Sequence, residues 1–458
     1  MHASQGHDLV GSRNGEIRRC SDRNRQVRHR LYRCAAARPE NKLQNRDPLQ
    51  ALAPGGCDPR KVLVGAAEVI EWHMRMQERG IHAEDARIKW PRLMQFKRSL
   101  IDDISTHREE SFSKSGIATL QGRAHFVASA AIQVGNDVLE AANVVVAAGS
   151  RPADLMIAGP EYAVTSEQFL ELEKLPTRIL FIGGDYVSFE FAYVAARAAV
   201  VATILHRGRR PLERFDPDLV DRPIRRTRDL GVDVQLGPKV TSVNQDPTGF
   251  KVHARSETGD HEFTTGMVVH SAGRVPEIDD LHLAEAGIDW DPQRGVKNEY
   301  LPDVSNPAVY AAGDAAASLG PPLTPVASYE GKIVAENLLQ GHQKPSYEGV
   351  PSVMFNVPPL ASVGLQEQAA RKLSLKFGVN QGDTSCWYFS RRVAEFFSVQ
   401  VLVEELSGLL FGAHLLRSDA GETINLFALA IRKGLTSREL KDCVFAYPTP
   451  GSDVVYMV

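Results

Sequence analysis

The stretch from 178 to 207 leaves this chain few folds to choose from. Residues 178–182 read as a continuous apolar strand. Gly183-Gly184-Asp185-Tyr186-Val187-Ser188-Phe189-Glu190 reads as a tight turn into a helix running to about Ala199. Residues 203–206 read as the next strand, ending at Arg207. Strand, glycine turn, helix and strand make a βαβ unit, which demands a parallel sheet with helices laid on it. Such a turn aims backbone N–H groups at a phosphate on the helix N-terminus. The dinucleotide fingerprint asks for three glycines, and the chain offers Gly183, Asp185 and Ser188. Ser188 is a mild change, because that position needs only a small residue. Asp185 is a serious one, because it adds a side chain and a negative charge where a diphosphate approaches. Taken alone, the turn fits an ordinary α/β connection equally well. Arg207 suits a ribose 2′-phosphate where an acid would suit the 2′-hydroxyl. The lean is therefore to NADPH, with NADH as the alternative. A solvated Arg beside His206, Arg209 and Arg210 is the bland reading of Arg207.

The alternation extends both ways. Upstream, helices are predicted over 59–80 and 90–109 and short strands over 117–121, 124–127 and 131–134. A buried strand from Asn143 ends in Gly149-Ser150-Arg151-Pro152. Downstream come a helix to Leu230 capped by Gly231, strands over 232–236 and 240–245, hairpin strands over 250–254 and 262–265, and a buried strand over 268–271. The segment 341–352 reads as a linker. Residues 353–458 read as α+β, with strands over 361–364, 396–403 and 409–416 and helices over 365–373, 421–433 and 437–443.

Size and charge exclude several classes. The chain has 458 residues, 43% of them hydrophobic, and a net charge of −3, which is an ordinary globular composition without a nucleic-acid or membrane signature. No apolar run approaches a membrane span of about 18 residues, and no apolar core of a secretory signal is seen at the N-terminus. Five scattered cysteines (20, 34, 57, 386, 443) argue against a disulfide framework or a zinc site, leave no metal ligand set, and suit a reducing cytoplasm. Residues 1–50 differ from the rest. They hold ten Arg and one Lys against five acids, with sparse apolar residues of no period, and read as a disordered basic arm.

One cysteine stands out. In Gly56-Cys57-Asp58-Pro59-Arg60-Lys61, Pro59 suits a first helical turn. Cys57 then sits at a helix N-terminus with two cations close by, both of which favour a thiolate. On this stretch alone a packed cysteine before an ordinary helix reads as well.

Taken together, several motifs resemble one family. They are Gly56-Cys57-x-Pro59-x-Lys61, Ala147-Ala148-Gly149-Ser150-Arg151-Pro152, the 183–190 turn, Ala272-Gly273-Arg274-Val275-Pro276, Tyr310-Ala-Ala-Gly313-Asp314, Pro358-Pro359-Leu360-Ala361-Ser362-Val363-Gly364 and Tyr447-Pro448-Thr449. In this order they resemble the pyridine nucleotide–disulfide oxidoreductases, the glutathione reductase, dihydrolipoamide dehydrogenase and mercuric reductase group, over residues 51–458. The resemblance implies an α/β fold: two Rossmann-like FAD- and NAD(P)-binding domains plus a C-terminal α+β dimerisation domain. The implied boundaries are 51–155 and 273–340 for the two parts of the FAD domain, 156–272 for the NAD(P)H domain, and 350–458 for the interface domain of a homodimer. FAD and NADPH (or NADH) would meet Gly149, Ser150, Arg151, Gly273, Arg274 and Gly313 on the flavin side, and Gly183, Gly184, Ser188 and Arg207 on the other. Asp314 would hold the flavin ribityl chain, and the backbone near Ala327 would face the isoalloxazine. Lys61, or Arg60 beside it, would pair with Glu190 near flavin N5. Tyr186 would cover the nicotinamide pocket, and Cys57 would be the flavin-facing redox sulfur. Hydride would pass from nicotinamide to flavin and on to the cysteine centre, then to a small disulfide or another acceptor near the partner subunit's copy of Tyr447.

The chain also departs from the pattern. The redox pair is Cys-x₄-Cys, yet Leu52 stands five residues before Cys57. The first glycine fingerprint, which binds the ADP half of FAD, has no counterpart among Gly6, Gly11 and Gly15. The length before Cys57 suits the missing βαβ unit, so residues 1–54 read as an out-of-frame translation. Ala199 stands near a helix end that usually carries glycine, where a positive φ costs about 1 kcal/mol. Tyr447 is similar to mercuric reductases, but their vicinal C-terminal cysteines are lacking, and Cys443 reads as a packed residue. The expectation is an impaired flavoprotein, with a catalytically dead dimerising homologue or a single-cysteine flavoenzyme as rivals.

Overall fold

The computed structural model describes residues 56–458 apart from 83, 85, 298–304, 340, 385–386 and 388–396. The basic arm, its out-of-frame reading, Leu52 and Cys20, Cys34 and Cys386 lie outside the described residues. Helix α1 (Cys57–Met76) opens the described chain, followed by α2 (Trp90–Ile101) and α3 (Ile104–Lys114). One helix was expected over 90–109. It breaks at Asp102-Asp103, because neighbouring aspartates favour caps and turns over a helix interior.

A three-stranded antiparallel meander follows: β1 (Ala124–Ala128), β2 (Ala131–Val134) and β3 (Asp137–Glu140). The strand expected over 117–121 is absent. That segment is irregular, and β3, exposed throughout, pairs with β2 instead. Strands β4 (Val144–Val146) and β5 (Ser150–Pro152) lead into a separate unit.

That unit runs β6 (Ala163–Thr165), α4 (Ser166–Phe169), β7 (Arg178–Ile182), α5 (Tyr186–Arg197), β8 (Val201–His206), α6 (Pro217–Asp229) and β9 (Asp233–Leu236). Next come the antiparallel β10 (Lys239–Asp246), β11 (Gly249–Ser256) and β12 (Gly259–Thr265), then β13 (Met267–His270). Its parallel sheet has the order β6-β13-β7-β8-β9. Leu180, Phe181, Ile204, Val268 and Val269 are buried in the sheet, because helices cover one face and the β10–β12 layer the other. Phe169, Phe181, Phe189 and Phe191 form an aromatic knot, with Phe169 stacked on Phe191 at 4.5 Å. Each such ring contributes roughly 1.5–3 kcal/mol when buried. Lys97 on α2 is fully buried, and its ammonium donates to the Leu170 carbonyl at 2.6 Å and to Glu171 at 2.7 Å.

The chain leaves this unit through β14 (Arg274–Pro276), which lies antiparallel to β5. A short hairpin, β15 (Trp290–Asp291) and β16 (Gly295–Val296), precedes β17 (Val309–Ala311), which pairs parallel with β4. The β6–β13 unit is thus inserted between two neighbouring strands of another domain. Helix α7 (Thr324–Asn337) closes that domain.

The C-terminal unit is a five-stranded antiparallel sheet of order β18-β19-β22-β21-β20: β18 (Ser352–Met354), β19 (Leu360–Gly364), β20 (Phe377–Asp383), β21 (Ser398–Glu404) and β22 (Leu410–Leu416). Helix α8 (Glu367–Lys372) follows β19. Helices α9 (Ala420–Lys433) and α10 (Ser437–Lys441) come after the last strand, and α9 packs on β19 and β22. Fully buried Arg417 ties the end of β22 to Asp419 at 3.0 Å and to Asp453 of the C-terminal 3₁₀ turn at 2.8 Å. Among the described residues no helix is long and apolar enough to cross a membrane.

Candidate active site

Cys57 opens α1, whose N-cap Gly56 supplies no side-chain hydrogen bond, so the first N–H groups of the helix stay uncapped. The Cys57 thiol is exposed and lies 3.5 Å from the Thr324 hydroxyl. Thr324 is the first residue of α7, also without a side-chain cap. Two open, positively polarised helix ends therefore meet at one sulfur.

The Arg60 guanidinium bridges this sulfur to a buried acid. One terminal nitrogen donates to Cys57 Sγ at 3.6 Å, and Nε pairs with Glu190 Oε2 at 2.9 Å, an ion pair without the alignment of a hydrogen bond. The guanidinium lies 5.1 Å from the Tyr186 ring centre. Glu190 is fully buried in α5, and its other oxygen accepts the Phe355 N–H at 2.8 Å. Burial pushes the Glu190 carboxyl above its ordinary range, and the Arg60 charge opposes that push. Burial likewise raises the Tyr186 phenol. For Arg60, burial is outweighed by the Glu190 and Cys57 charges, which hold its pKa up.

Of the two cations offered to Glu190, Arg60 takes the place and Lys61 does not. Lys61 turns to Glu68 at 2.9 Å and sits over the Phe355 ring at 4.5 Å. Adjacent helical residues point about 100° apart, so only one of them can face α5.

Further flavin-side residues converge nearby. β4 and β17 end side by side in Gly149 and Gly313, both at positive φ of 77° and 70°. The Ser150 hydroxyl donates to Asp314 at 2.7 Å, and Arg274 donates to Ser150 at 3.0 Å and to Glu167 at 2.8 Å. A Cβ on Gly313 would stand 3.1 Å from the Ala327 methyl, so the turn presses against the first turn of α7. Gly273 turns the chain at a φ of 114° before Arg274. Arg151 points elsewhere, to Asp279 at 2.6 Å and Asp154 at 3.0 Å. A carboxylate and two open helix ends at the carboxyl edge of a parallel strand pair fit the isoalloxazine and ribityl half of a flavin.

The nucleotide turn gives a different result. Gly183 must be glycine, since a Cβ would meet the Ser271 carbonyl at 2.1 Å. At Gly184 a Cβ would strike the His206 ring at 2.5 Å. Ser188 is buried and bonds back to the Gly183 carbonyl at 2.8 Å and to the Ser271 hydroxyl at 2.6 Å. Asp185, however, is the N-cap of α5 and accepts the Tyr186 N–H at 2.8 Å. A carboxylate already occupies the helix end that a diphosphate requires, so the turn does not fit a dinucleotide diphosphate. Arg207 is exposed at the end of β8, and Tyr447 is 80% exposed on the C-terminal unit. Thr324 and Phe355 escaped the sequence reading. Each is fixed by tertiary packing, with no local signature.

Known proteins resemble this chain in sequence and fold. A domain model described as pyridine nucleotide-disulphide oxidoreductase matches residues 50–331, and the dimerisation domain of the same family matches residues 350–458. An uncharacterized 19.7 kDa protein in the mercuric resistance operon of Staphylococcus aureus is 48% identical over 163 residues, covering 35% of this chain and 91% of that protein. The dihydrolipoyl dehydrogenase of Halobacterium salinarum is 29% identical over 409 residues, with 86% and 85% of the two chains covered. The HOCl-induced flavoprotein disulfide reductase RclA of Escherichia coli superposes with a TM-score of 0.77 at 24% identity over 88% and 89% of the chains, a likeness of fold. Two matched domain models covering most of the chain, together with the cysteine, acid and glycine turns just described, establish that it belongs to the FAD-dependent pyridine nucleotide-disulphide oxidoreductase family.

Proposed function

We propose that the chain is a flavoprotein oxidoreductase of the disulfide-reductase type, with Cys57 as its flavin-facing sulfur and with curtailed turnover. The observation that carries this reading is Arg60, which spans from Cys57 Sγ to buried Glu190. FAD, when bound, supplies a two-electron carrier beside the sulfur. The chain's own groups would serve it in distinct ways. Arg60 holds a fixed positive charge where negative charge develops, and Glu190 fixes the orientation of that guanidinium. The Thr324 hydroxyl is placed to hydrogen-bond to the sulfur, and Asp314 and Ser150 offer polar contacts to the ribityl chain. Tyr186 shields the Arg60–Glu190 pair from water.

Three features curtail turnover. Leu52 removes the exchange cysteine, so Cys57 has no partner at the family's spacing. Residues 1–50 lack a glycine fingerprint, and Asp185 blocks the nucleotide turn. What nucleotide binding remains would favour NADPH over NADH through Arg207. Residues 350–458 would build a homodimer, bringing Tyr447 to the partner's site, where a small disulfide or another acceptor is reduced, in the cytoplasm.

The test is the flavin content and spectrum of the full-length chain purified with excess FAD. Less than one flavin per chain, little NADPH-driven bleaching and a visible spectrum altered by Cys57→Ser are expected. Stoichiometric flavin bleached rapidly by NADPH would overturn the curtailment. A bound flavin indifferent to Cys57→Ser would overturn the role of Cys57. A flavin-free dimer would favour a second reading, a dimerising homologue without catalysis, which the dimerisation-domain match over residues 350–458 supports.

A further inference from the structure

The antiparallel meander β1–β3 ends in an edge that no other described strand covers. β3 pairs with β2 on one side only, and all four of its residues are exposed. Gly135 and Asn136 join β2 to β3, with Gly135 at a φ of 61°. A two-residue hairpin makes Val134 and Asp137 a hydrogen-bonded pair. The alternation along an antiparallel ladder then turns the N–H and C=O groups of Val138 and Glu140 outward. Among the described residues no further strand takes them up. The other edge differs, because the Phe126 N–H of β1 donates to the Leu281 carbonyl at 2.9 Å.

The free edge carries its own selectivity. It reads Asp137-Val138-Leu139-Glu140, two acids flanking two apolar residues, and Val138 and Leu139 are 57% and 38% exposed. Neither acid has an ion-pair partner among the described residues. A second copy of β3 laid antiparallel on this edge would set Asp137 against Glu140, and like charges directly opposite repel. The complement is a strand with a cation at each end and apolar residues between. Before Gly56 the sequence holds one such segment, Arg30-Leu31-Tyr32-Arg33, in the arginine-rich arm.

We propose that Arg30-Leu31-Tyr32-Arg33 docks in cis as a fourth strand on the free edge of β3. Antiparallel pairing, the more stable of the two ladders, sets Arg33 against Asp137, Tyr32 against Val138, Leu31 against Leu139 and Arg30 against Glu140. Each cation then meets an acid, and both exposed apolar side chains of β3 gain an apolar neighbour. The arm needs no fold of its own to do this. Up to roughly 75 Å of extended chain joins Arg33 to Gly56, about three times the radius of gyration of about 23 Å for a compact chain of this length. Tethering holds the segment at an effective concentration of about a millimolar, which lets four residues compete with water for the edge. The docking uses only charge and strand pattern, so it and the flavin reading can each fail alone.

The test is amide hydrogen exchange, resolved to single residues and corrected for intrinsic rates, on the full-length chain at low salt. The Val138 and Glu140 amides should exchange about threefold or more slower than in Arg30→Glu/Arg33→Glu, as fits a tethered contact of millimolar strength. Asp137→Arg/Glu140→Arg should lose the same protection at Val138, and combining both pairs of reversals should restore it. Asp137 and Glu140 are exposed, so their variants leave the core intact. Raising the salt to about 0.5 M should weaken the protection. Equal exchange at Val138 in the wild type and both double variants would overturn the proposal. So would a failure of the combined reversal to restore protection. Protection that grows with protein concentration would put the arm of a second copy on the edge and overturn docking in cis.

Discussion

Helices α1 and α5 lie against each other, yet their N-termini are finished in opposite ways. The end of α1 carries no side-chain cap and faces a cysteine, an arginine and the equally open end of α7. The end of α5 is closed by its own Asp185. An uncapped helix end is a stability defect of about 1 kcal/mol that becomes useful only when something anionic is put there. A capped end is more stable and cannot serve an anion. On the proposed reading, the open end stands where electrons would be handled and the closed end where a diphosphate would be held.

The largest predicted effect strikes the pair that joins the two helices. Arg60→Gln strands the fully buried Glu190 carboxylate and should lower stability by about 3–5 kcal/mol, read by denaturant midpoints. An unchanged midpoint would mean that α1 and α5 are held by packing alone. The same acid sets a pH dependence. Its folded value is raised above 4.5, so between 4.5 and that raised value the folded state binds more protons than the unfolded one. Stability contributed by the protonated form is full below 4.5 and is lost as pH rises through the folded value. Glu190→Gln should flatten that slope in thermal melts.

Opening the closed end is the next largest change. Asp185→Gly should raise NADPH affinity about tenfold, roughly 1.4 kcal/mol, measured by nucleotide fluorescence titration, with only a few tenths of a kcal/mol lost from the cap. If affinity does not move, the block lies elsewhere than in this carboxylate. A smaller effect is expected at the far end of the same helix. Ala199 sits at a φ of 61° in a C-terminal motif in which the Val200 N–H bonds to the Ala195 carbonyl and the Ala199 N–H to the Ala196 carbonyl, at 3.0 and 3.1 Å. That left-handed position favours glycine. Ala199→Gly should stabilise by about 1 kcal/mol, and a destabilisation would show that the motif is not the one drawn.

What could be read from the sequence follows physical lines. The 178–206 βαβ unit was legible to within two residues, because its strands are buried on both faces and its turn is pinned by glycines that tolerate no Cβ. Ala199 was legible for the same reason, a backbone demand that falls on one residue. Arg60 against Lys61 was not, since choosing between neighbours on a helix needs the helix phase, which packing on α5 sets. The break at Asp102-Asp103 and the exposed β3 were hidden by weak periodicity. Strand β20, with two glycines and polar neighbours, carries almost no strand signal of its own and forms by pairing with β21. Buried Glu71 did leave a trace, an acid at the third step of the i, i+4 stripe Leu63, Ala67, Glu71 on α1, while its ion-pair partners Arg197 and Arg226 lie more than a hundred residues away.

The antiparallel contact of β5 with β14 has a consequence for how this molecule ages. The two strands that lead into and out of the inserted unit run side by side, about 5 Å apart. The host domain therefore sees the insert as little more than a tight hairpin. The register of β4 on β17 is set by strands that both lie outside the insert. Each unit is thereby free to change its chemistry separately, while the scaffold around it keeps its own strand pairing.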